Sequence, residues 1–231
     1  MKISVIIAAA GKGKRMGKGY NKQYIPLGDK PIVAHTIEVF ENMSLIDEII
    51  LVVGEGETAL AEKDIIYKYN FKKVVKIVEG GAEREDSVYN GLKAVNINCD
   101  IVLIHDGIRP FITDSIIEKS IETAKDLGAC VVAVRVKDTI KVVNKDMEVD
   151  YTPDRDALWA VQTPQTFRYE LLLEAYEKLR ISDMKVTDDA MLIERSGHTV
   201  KIIEGSYENI KITTPEDLIL GEGILKKREN T

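Results

Sequence analysis

Short apolar runs rich in β-branched residues alternate with amphipathic stretches along most of this 231-residue chain. The runs have the length and composition of buried strands, whereas the amphipathic stretches repeat their apolar residues with the period of a helix. Strands are predicted at 4–9, 48–53, 74–78, 101–104, 130–134 and 200–203. Helices are predicted at 32–42, 58–69, 85–95, 114–127, 169–179 and 188–195, and a last helix, with Thr214 as its N-cap, runs from Pro215 to about 226.

Most of these strands are continuously apolar, which is typical of a sheet covered by helices on both faces. The pattern therefore predicts the α/β class, in the form of a three-layer open sandwich around a mainly parallel, Rossmann-like sheet. Ligands of such sheets bind beyond the carboxyl ends of the strands. A chain of 231 residues with 45% hydrophobic residues has the size of one domain, so residues 1–231 are expected to form a single one.

One stretch, 137–165, departs from the alternation. It contains two short β-like runs around a polar turn at 144–148, which predicts a β-hairpin arm at about 137–160 that is too polar for the core. Isolated hairpins are only marginally stable in water, so this arm is expected to pack against something, for which a second subunit is a candidate. A long surface loop is the alternative.

The first predicted strand ends in a loop that is rich in glycine and in cations. Its glycines are Gly11, Gly13, Gly17 and Gly19, and its cations are Lys12, Lys14, Arg15, Lys18 and Lys22. The chain as a whole carries a net charge of −6, so this basic concentration is local. A glycine turn after a buried strand lets backbone N–H groups approach an anion. The loop is predicted to bind phosphate; the alternative is a solvated loop with scattered lysines.

The glycine spacing excludes the two commonest phosphate loops. A dinucleotide fingerprint needs G-x-G-x-x-G, and here the third glycine, Gly17, comes one residue late. A P-loop needs four residues between its first glycine and Gly-Lys-Ser/Thr; neither Gly11 nor Gly13 gives that count, and Gly19 stands where the hydroxyl should be. A dehydrogenase is therefore disfavoured.

Further polar residues follow other predicted strands, where a site is expected. They are Gly80, Gly81, Arg84, Ser87, His105, Asp106, Arg109, Asp138, Thr139, Thr187, Asp188 and Lys211. The glycine pair has a plain tight turn as its alternative, and Thr187 a helix N-cap. No zinc-ligand spacing and no G-x-S-x-G elbow is present. Cations, hydroxyls and backbone amides suit phosphoryl or nucleotidyl transfer, which depends on positioning and charge neutralisation.

The composition of the chain indicates where the protein is located and which partners it lacks. No apolar run nears the ~20 residues that span a bilayer, and the first residues lack the layout of a signal peptide, so no membrane contact is expected. Cys99 and Cys130 each lie beside a predicted strand and are interpreted as packing residues. A cytoplasmic location is expected. The negative net charge argues against a nucleic-acid partner.

Eight ordered motifs connect the chain with a known family. They are A-A-G-x-G-x-R-M at 9–16, K-Q-Y at 22–24, G-G-x-x-R-x-x-S-V at 80–88, H-D-x-x-R-P-F at 105–111, D-T at 138–139, D-R-x-x-L-W-x-x-x-T-P-Q at 154–165, T-D-D-A at 187–190 and N-I-K-I-T at 209–213. Over nearly its whole length the chain resembles the 2-C-methyl-D-erythritol 4-phosphate cytidylyltransferases of the non-mevalonate isoprenoid pathway.

The resemblance implies a nucleotidyltransferase-type fold and a specific reaction. The phosphate of 2-C-methyl-D-erythritol 4-phosphate attacks the α-phosphorus of CTP, which gives 4-diphosphocytidyl-2-C-methyl-D-erythritol and pyrophosphate. Mg²⁺ or another divalent cation is bound with CTP, and its protein ligands are not assigned. The resemblance also implies a homodimer in which the arm reaches the partner's site.

Site residues are carried over motif by motif. The resemblance implies catalytic roles for Arg15, Lys22, Asp106, Thr139, Arg155 and Lys211. It implies substrate binding by Ala9, Ala10, Gly11, Gly13, Gly81, Ala82, Ser87, Gly107, Arg109, Thr163 and Thr187. Within these sets the first loop holds the triphosphate, the residues at 81–87 recognise cytosine and ribose, and the remainder line the polyol-phosphate end.

The chain departs from the family pattern at two places, and two alternative functions are considered beside the one that the resemblance implies. Asn21 stands where the family usually has proline, which predicts a more mobile loop, and Gly107-Ile108 replaces the commoner Ala-Ala, which bears on the polyol pocket. Relatives that use ribitol 5-phosphate, a precursor of teichoic acids, share the CTP half of the site; the Leu158-Trp159 pair favours methylerythritol phosphate. A non-catalytic nucleotide-binding subunit is the other alternative, which the joint presence of Arg15, Lys22 and Asp106 disfavours.

Overall fold

A seven-stranded sheet forms the centre of the computed structural model, which describes residues 1–11, 21–179 and 186–230. The strands in chain order are β1 (Ile3–Ala9), β2 (Pro26–Leu27), β3 (Lys30–Pro31), β4 (Glu48–Val53), β5 (Val74–Glu79), β6 (Ile101–Asp106), β7 (Ala129–Arg135), β8 (Val142–Val143), β9 (Val149–Tyr151), β10 (Trp159–Arg168) and β11 (Lys201–Glu204). The sheet has the order β11-β7-β10-β6-β1-β4-β5, and β2-β3 and β8-β9 form two small antiparallel ribbons.

The sheet is mainly parallel, as predicted. β1 pairs in parallel with β4 and β6, β4 with β5, and β11 with β7. The carboxyl ends of β1, β4, β5 and β6 therefore meet at one edge, which is where such sheets bind ligands. The exception is β10, which runs antiparallel between β6 and β7.

Strand β10 corrects the sequence prediction. Its first residues, 159–165, belong to the stretch 137–165 in which the sequence predicts a polar arm at about 137–160, whereas the structure places the strand in the middle of the sheet. The prediction was wrong because polar side chains were taken as a sign of exposure. Gln165 and Thr166 are 2% and 0% exposed, and each is buried with a hydrogen-bond partner. The arm itself is confirmed as an antiparallel pair, β8 and β9, around a turn at 144–148.

The helices lie where the periodicity predicts them. They are α1 (Ile32–Asn42), α2 (Thr58–Ala61), α3 (Arg84–Ala94), α4 (Asp114–Leu127), α5 (Tyr169–Leu179), α6 (Asp189–Arg195) and α7 (Pro215–Glu229). Helix α2 continues into a π-helical stretch, Glu62–Tyr67. Thr214 caps α7 as predicted, through a capping box with Asp217, and the helix runs past 226 to Glu229.

Alternate residues of the central strands face two separate apolar layers, because successive side chains of a strand point to opposite faces. Ile7 and Leu51 pack under α1 and α4, whereas Ile6 and Val52 pack under α3, α5 and α6. Gly91 of α3 lets that helix lie close to the sheet, since a Cβ there would stand 2.6 Å from Ile6 Cγ2. This three-layer arrangement confirms the predicted fold class and fixes the loops at the carboxyl edge.

The two cysteines of the chain form no disulfide. Cys99 and Cys130 are buried and free, which confirms their interpretation as packing residues. Burial raises the pKa of the Cys99 thiol to about 11 and that of Cys130 to about 12. Among the described residues no helix combines the length and the apolar content that crossing a bilayer requires.

Candidate active site

A cavity of about 520 Å³ opens at the carboxyl edge of the sheet. It is lined by backbone and side chains from the ends of β1 and β6, the loop before α3, and the segment between β11 and α7. The predicted site residues that line it are Ala9, Ala10, Gly11, Lys22, Gly81, Ala82, Ser87, Asp106 and Lys211. The structure therefore brings together nine residues from motifs that are up to 202 positions apart.

Asp106 lines this cavity at the last position of β6. Its Oδ2 lies 2.9 Å from Lys211 Nζ and 3.3 Å from Arg109 Nε. Burial alone would raise the pKa of this carboxyl, but the nearby Lys211, Arg84 and Arg109 outweigh burial and hold the pKa well below its usual range. Asp106 is therefore an ionised acceptor at neutral pH.

A directed chain of hydrogen bonds fixes the backbone behind Asp106. His105 Nε2 lies 3.0 Å from the Arg109 carbonyl, which can only accept, so this nitrogen carries the proton. The neutral ring then accepts at Nδ1 from the Thr163 hydroxyl, 3.1 Å away, and Thr163 Oγ1 accepts from the Asp106 N–H at 3.0 Å. Thr163 thus contacts the site from behind, as a support for Asp106.

His105 is expected to make the protein less stable at mildly acidic pH. Burial lowers the pKa of His105 to about 4, against about 6.5 for an unfolded histidine. Between these values the unfolded state binds more protons, so stability is full above about pH 6.5 and is lost as the pH falls towards 4. The free energy of unfolding from urea titrations should decrease by about 2 kcal/mol between pH 7 and pH 5 through this group.

The matched comparison is between His105→Gln and His198→Gln. His198 is exposed, so its replacement should leave the pH dependence of unfolding unchanged, whereas His105→Gln should remove about 2 kcal/mol of it. Identical pH profiles for the two variants would contradict the buried neutral state of His105.

Gly80 and Gly81, which follow β5, lie where the neighbouring side chains leave no space for a Cβ. A Cβ on Gly80 would stand 2.5 Å from Ala10 Cβ, and one on Gly81 would stand 2.2 Å from Asp86 Cβ. Ser87 ties the loop to α3, since its hydroxyl donates to the Glu83 carbonyl at 3.0 Å and accepts from the Gly81 N–H at 3.1 Å. The pair therefore lets two backbone segments approach each other at the cavity wall, which a plain tight turn would not require.

The loop before α6 is held in place by residues that the sequence analysis did not assign to the site. Gln165 Oε1 accepts from the N–H groups of Asp189 and Ala190, at 3.1 and 3.0 Å. The buried Asp189 carboxylate lies 2.6 Å from Arg84 of the cavity wall. The motifs T-P-Q and T-D-D-A contain these residues and were the available signal. The structure thus links the loop at 81–87 to the start of α6.

Six of the predicted residues that the structure describes lie outside the cavity lining: Arg109 and Thr163, whose contacts with Asp106 are given above, and Gly107, Thr139, Arg155 and Thr187. Thr187 is exposed, and the N-cap of α6 is Asp188, so the alternative that Thr187 is the cap is wrong. Thr139 and Arg155 are exposed on the arm, where an Arg155 NH1 donates to the Lys137 carbonyl at 3.4 Å. Gly107 lies directly behind the cavity, and a Cβ there would stand 2.9 Å from Ala9 Cβ. Gly13 and Arg15 fall outside the described residues.

The fold and the cavity define a class of protein. A mainly parallel sheet between helix layers, with a glycine-bounded, lysine-lined cavity at its carboxyl edge, is the architecture of an α/β nucleotidyltransferase. Comparison with known proteins makes this specific.

The family model of 2-C-methyl-D-erythritol 4-phosphate cytidylyltransferase matches residues 3–227. The chain is 67% identical over 227 residues to the 2-C-methyl-D-erythritol 4-phosphate cytidylyltransferase of Alkaliphilus oremlandii, covering 98% of this chain and 96% of that protein. It is 58% identical over 229 residues to that of Alkaliphilus metalliredigens, covering 99% and 95%. The crystal structure of 4-diphosphocytidyl-2C-methyl-D-erythritol synthase from Anaerococcus prevotii matches it with a TM-score of 0.86 at 39% identity, covering 97% and 96%.

The chain therefore belongs to the 2-C-methyl-D-erythritol 4-phosphate cytidylyltransferase family. It is an enzyme of nucleotidyl transfer in isoprenoid biosynthesis, and the ribitol-phosphate alternative is not favoured.

Proposed function

We propose that the cavity at the carboxyl edge of the sheet binds CTP and 2-C-methyl-D-erythritol 4-phosphate side by side and transfers CMP to the latter, releasing pyrophosphate. The observation that supports this proposal most strongly is the lining of the cavity. One wall holds the exit of β1 and Lys22, another holds Gly81 and Ala82 with Ser87, and a third holds Asp106 and Lys211. These walls suit a triphosphate, a base with its ribose, and a polyol phosphate respectively.

The nucleotide half of the site acts by positioning and by charge. Ala9, Ala10 and Gly11 offer backbone at the exit of β1, and Lys22 lies beside Gly11, since a Cβ on Gly11 would stand 3.8 Å from Lys22 Cε. Gly13 is assigned to the triphosphate on the basis of the family motif alone. Lys22 and Arg15 stabilise the negative charge that develops on the phosphate oxygens in the transition state. Gly81, Ala82 and Ser87 read cytosine and ribose through hydrogen bonds.

The acceptor half of the site needs no general base. A phosphate monoester has its second pKa near 6, so the attacking oxygen is already ionised at neutral pH. The ionised Asp106 accepts hydrogen bonds from the polyol hydroxyls, and Lys211 and Arg109 hold its carboxylate in place. Lys211, 40% exposed, contacts the incoming phosphate, and Thr187, Thr163 and Gly107 complete this end.

The donor set of the cavity fits a divalent cation that arrives with the nucleotide. Within residues 1–11, 21–179 and 186–230, no three His, Cys, Asp or Glu side chains gather as a metal cage. Mg²⁺ in nucleotide sites takes most of its ligands from phosphates and water. The ion would be held through the triphosphate, itself bound by Gly11 and Lys22, and would neutralise charge on the phosphate oxygens.

The arm completes the site of a partner subunit in a cytoplasmic homodimer. It carries Thr139 and Arg155, which lie away from the cavity of their own chain. Its apolar residues Met147, Val149 and Tyr151 are 79%, 56% and 59% exposed in the single chain. An isolated hairpin with such residues is stabilised by packing on a second copy.

Nucleotide choice tests the assignment of the base pocket. The narrow wall formed at Gly80 and Gly81 admits a pyrimidine more readily than a purine, so pyrophosphate release with the methylerythritol phosphate should be at least about tenfold faster with CTP than with ATP or GTP. UTP at equal concentration serves as the control for the exocyclic amine. Equal turnover with CTP and ATP would contradict the pocket assignment.

A further inference from the structure

One carboxylate outside the cavity holds the segment that carries Lys22. Glu57 lies at the N-cap position of α2, after the carboxyl end of β4. Its Oε2 accepts from the Gly54 N–H at 3.0 Å, the Tyr24 hydroxyl at 3.1 Å and the Gln23 amide at 3.3 Å, and its Oε1 accepts from the Asn21 amide. Four donors from two loops therefore converge on a single side chain.

Three of the four residues that donate to Glu57 are neighbours of Lys22 in the sequence. Asn21 precedes it, and Gln23 and Tyr24 follow it in the same 3₁₀ turn. Lys22 and Gln23 line the cavity, whereas Glu57 does not. The turn presents Lys22 towards Gly11, so any rotation of the turn displaces the ammonium group from the triphosphate wall.

Asn21 supplies one of the hydrogen bonds to Glu57. Its backbone has φ −65 and ψ 131, a conformation that proline would also adopt. The side chain adds a hydrogen bond to Glu57 that proline cannot make. The departure from proline therefore exchanges a ring constraint for a hydrogen bond to Glu57. The more mobile loop that the sequence predicts stays a prediction.

We propose that Glu57 is a positioning residue for catalysis, which fixes the Lys22 turn against the β4–α2 loop so that the Lys22 ammonium is held at the triphosphate. The inference rests on the proposed function. A carboxylate accepts several hydrogen bonds and donates none, and bonds to an ionised acceptor are among the stronger ones. The fit is close, since a Cβ on Gly54 would stand 2.9 Å from Glu57 Cδ.

The chemistry of the donors requires a carboxylate at this position. Burial, together with Glu57, raises the pKa of Tyr24, which keeps its hydroxyl protonated and donating. A glutamine would keep one acceptor oxygen and turn an NH₂ group towards donors, so Glu57→Gln removes part of the anchor with almost no change in size. Asn21→Asp changes the contact from the other side, by placing a second carboxylate against Glu57.

A double-mutant cycle tests the proposal with steady-state cytidylyl transfer. Glu57→Gln should lower kcat at least tenfold in the otherwise unchanged enzyme, and less than twofold when Lys22→Ala is already present, because its effect passes through Lys22. Asn21→Asp should follow the same pattern. Glu55→Gln, which removes an exposed charge two residues away, is the matched control and should keep wild-type kcat.

Each outcome decides the proposal. A decrease of kcat by the same factor with and without Lys22→Ala would mean that Glu57 has a general structural role. Wild-type kcat in Glu57→Gln or in Asn21→Asp would mean that Glu57 does not position Lys22. Should Glu57→Gln not fold, Asn21→Asp alone decides, by the same comparison with and without Lys22→Ala. Failure of the proposed function would be visible separately, as absent cytidylyl transfer in the unchanged enzyme.

Discussion

Replacing Lys22 with alanine is expected to lower kcat by about 10²–10³-fold. Lys22 lines the cavity beside Gly11. In the proposed function it contacts the triphosphate oxygens as they gain charge in the transition state. An interaction that strengthens in the transition state is lost mainly from kcat, so the KM for CTP should change much less. Steady-state pyrophosphate release measures both constants.

The comparison variant for this result is Lys63→Ala. Lys63 is exposed on the π-helical stretch after α2, so its removal changes the net charge equally without touching the cavity. It should keep wild-type constants. Arg15→Ala is expected to behave like Lys22→Ala on the basis of the family motif. Wild-type kcat with only a raised KM in Lys22→Ala would show that Lys22 binds CTP without acting on the transition state.

Arg155→Ala is expected to lower kcat/KM by about 10²-fold, and the loss should be partly reversed by mixing it with Lys22→Ala. Lys22 lies in the cavity of its own chain, whereas Arg155 lies on the arm, away from that cavity. If the arm serves the partner, a heterodimer of the two variants has one intact site and one site with both defects. Random mixing makes about half of the dimers heterodimers, so about a quarter of all sites should recover.

The controls for mixing are the two single variants at the same total concentration, with subunit exchange followed by a fluorescence label on one partner. Exchange without any recovery of activity would mean that Arg155 acts in its own chain. The arm would then be a dimer clamp or a surface element with no catalytic contribution to the partner.

The layered fold was predictable because its signals are local and mutually consistent. Apolar runs such as β4 and β6 are buried along their whole length, and the capping pattern at Thr214 is self-contained in four residues. Strand β10 was not predictable in this way. Its buried polar residues Gln165 and Thr166 are satisfied by distant partners, and periodicity carries no information about such partners.

The candidate site was likewise predictable only in part. The position of Asp106 at the end of β6 followed from the topology, and the structure joins it at 2.9 Å to Lys211, of the segment between β11 and α7. Glu57 belongs to no motif, and its contacts with Asn21, Gln23 and Tyr24 join residues more than 30 positions apart, so the folded chain was needed to find them. The same holds for the proton position on His105, which depends on Thr163 and the Arg109 carbonyl.

Competition between the two polyol phosphates tests the central claim most directly. Limiting CTP is offered to the enzyme together with equal concentrations of 2-C-methyl-D-erythritol 4-phosphate and ribitol 5-phosphate, and the products are quantified by mass spectrometry. The product ratio gives the ratio of kcat/KM for the two acceptors. The account predicts 4-diphosphocytidyl-2-C-methyl-D-erythritol in at least about tenfold excess over the ribitol product. An excess of the ribitol product, or CTP that remains unconsumed, would contradict it.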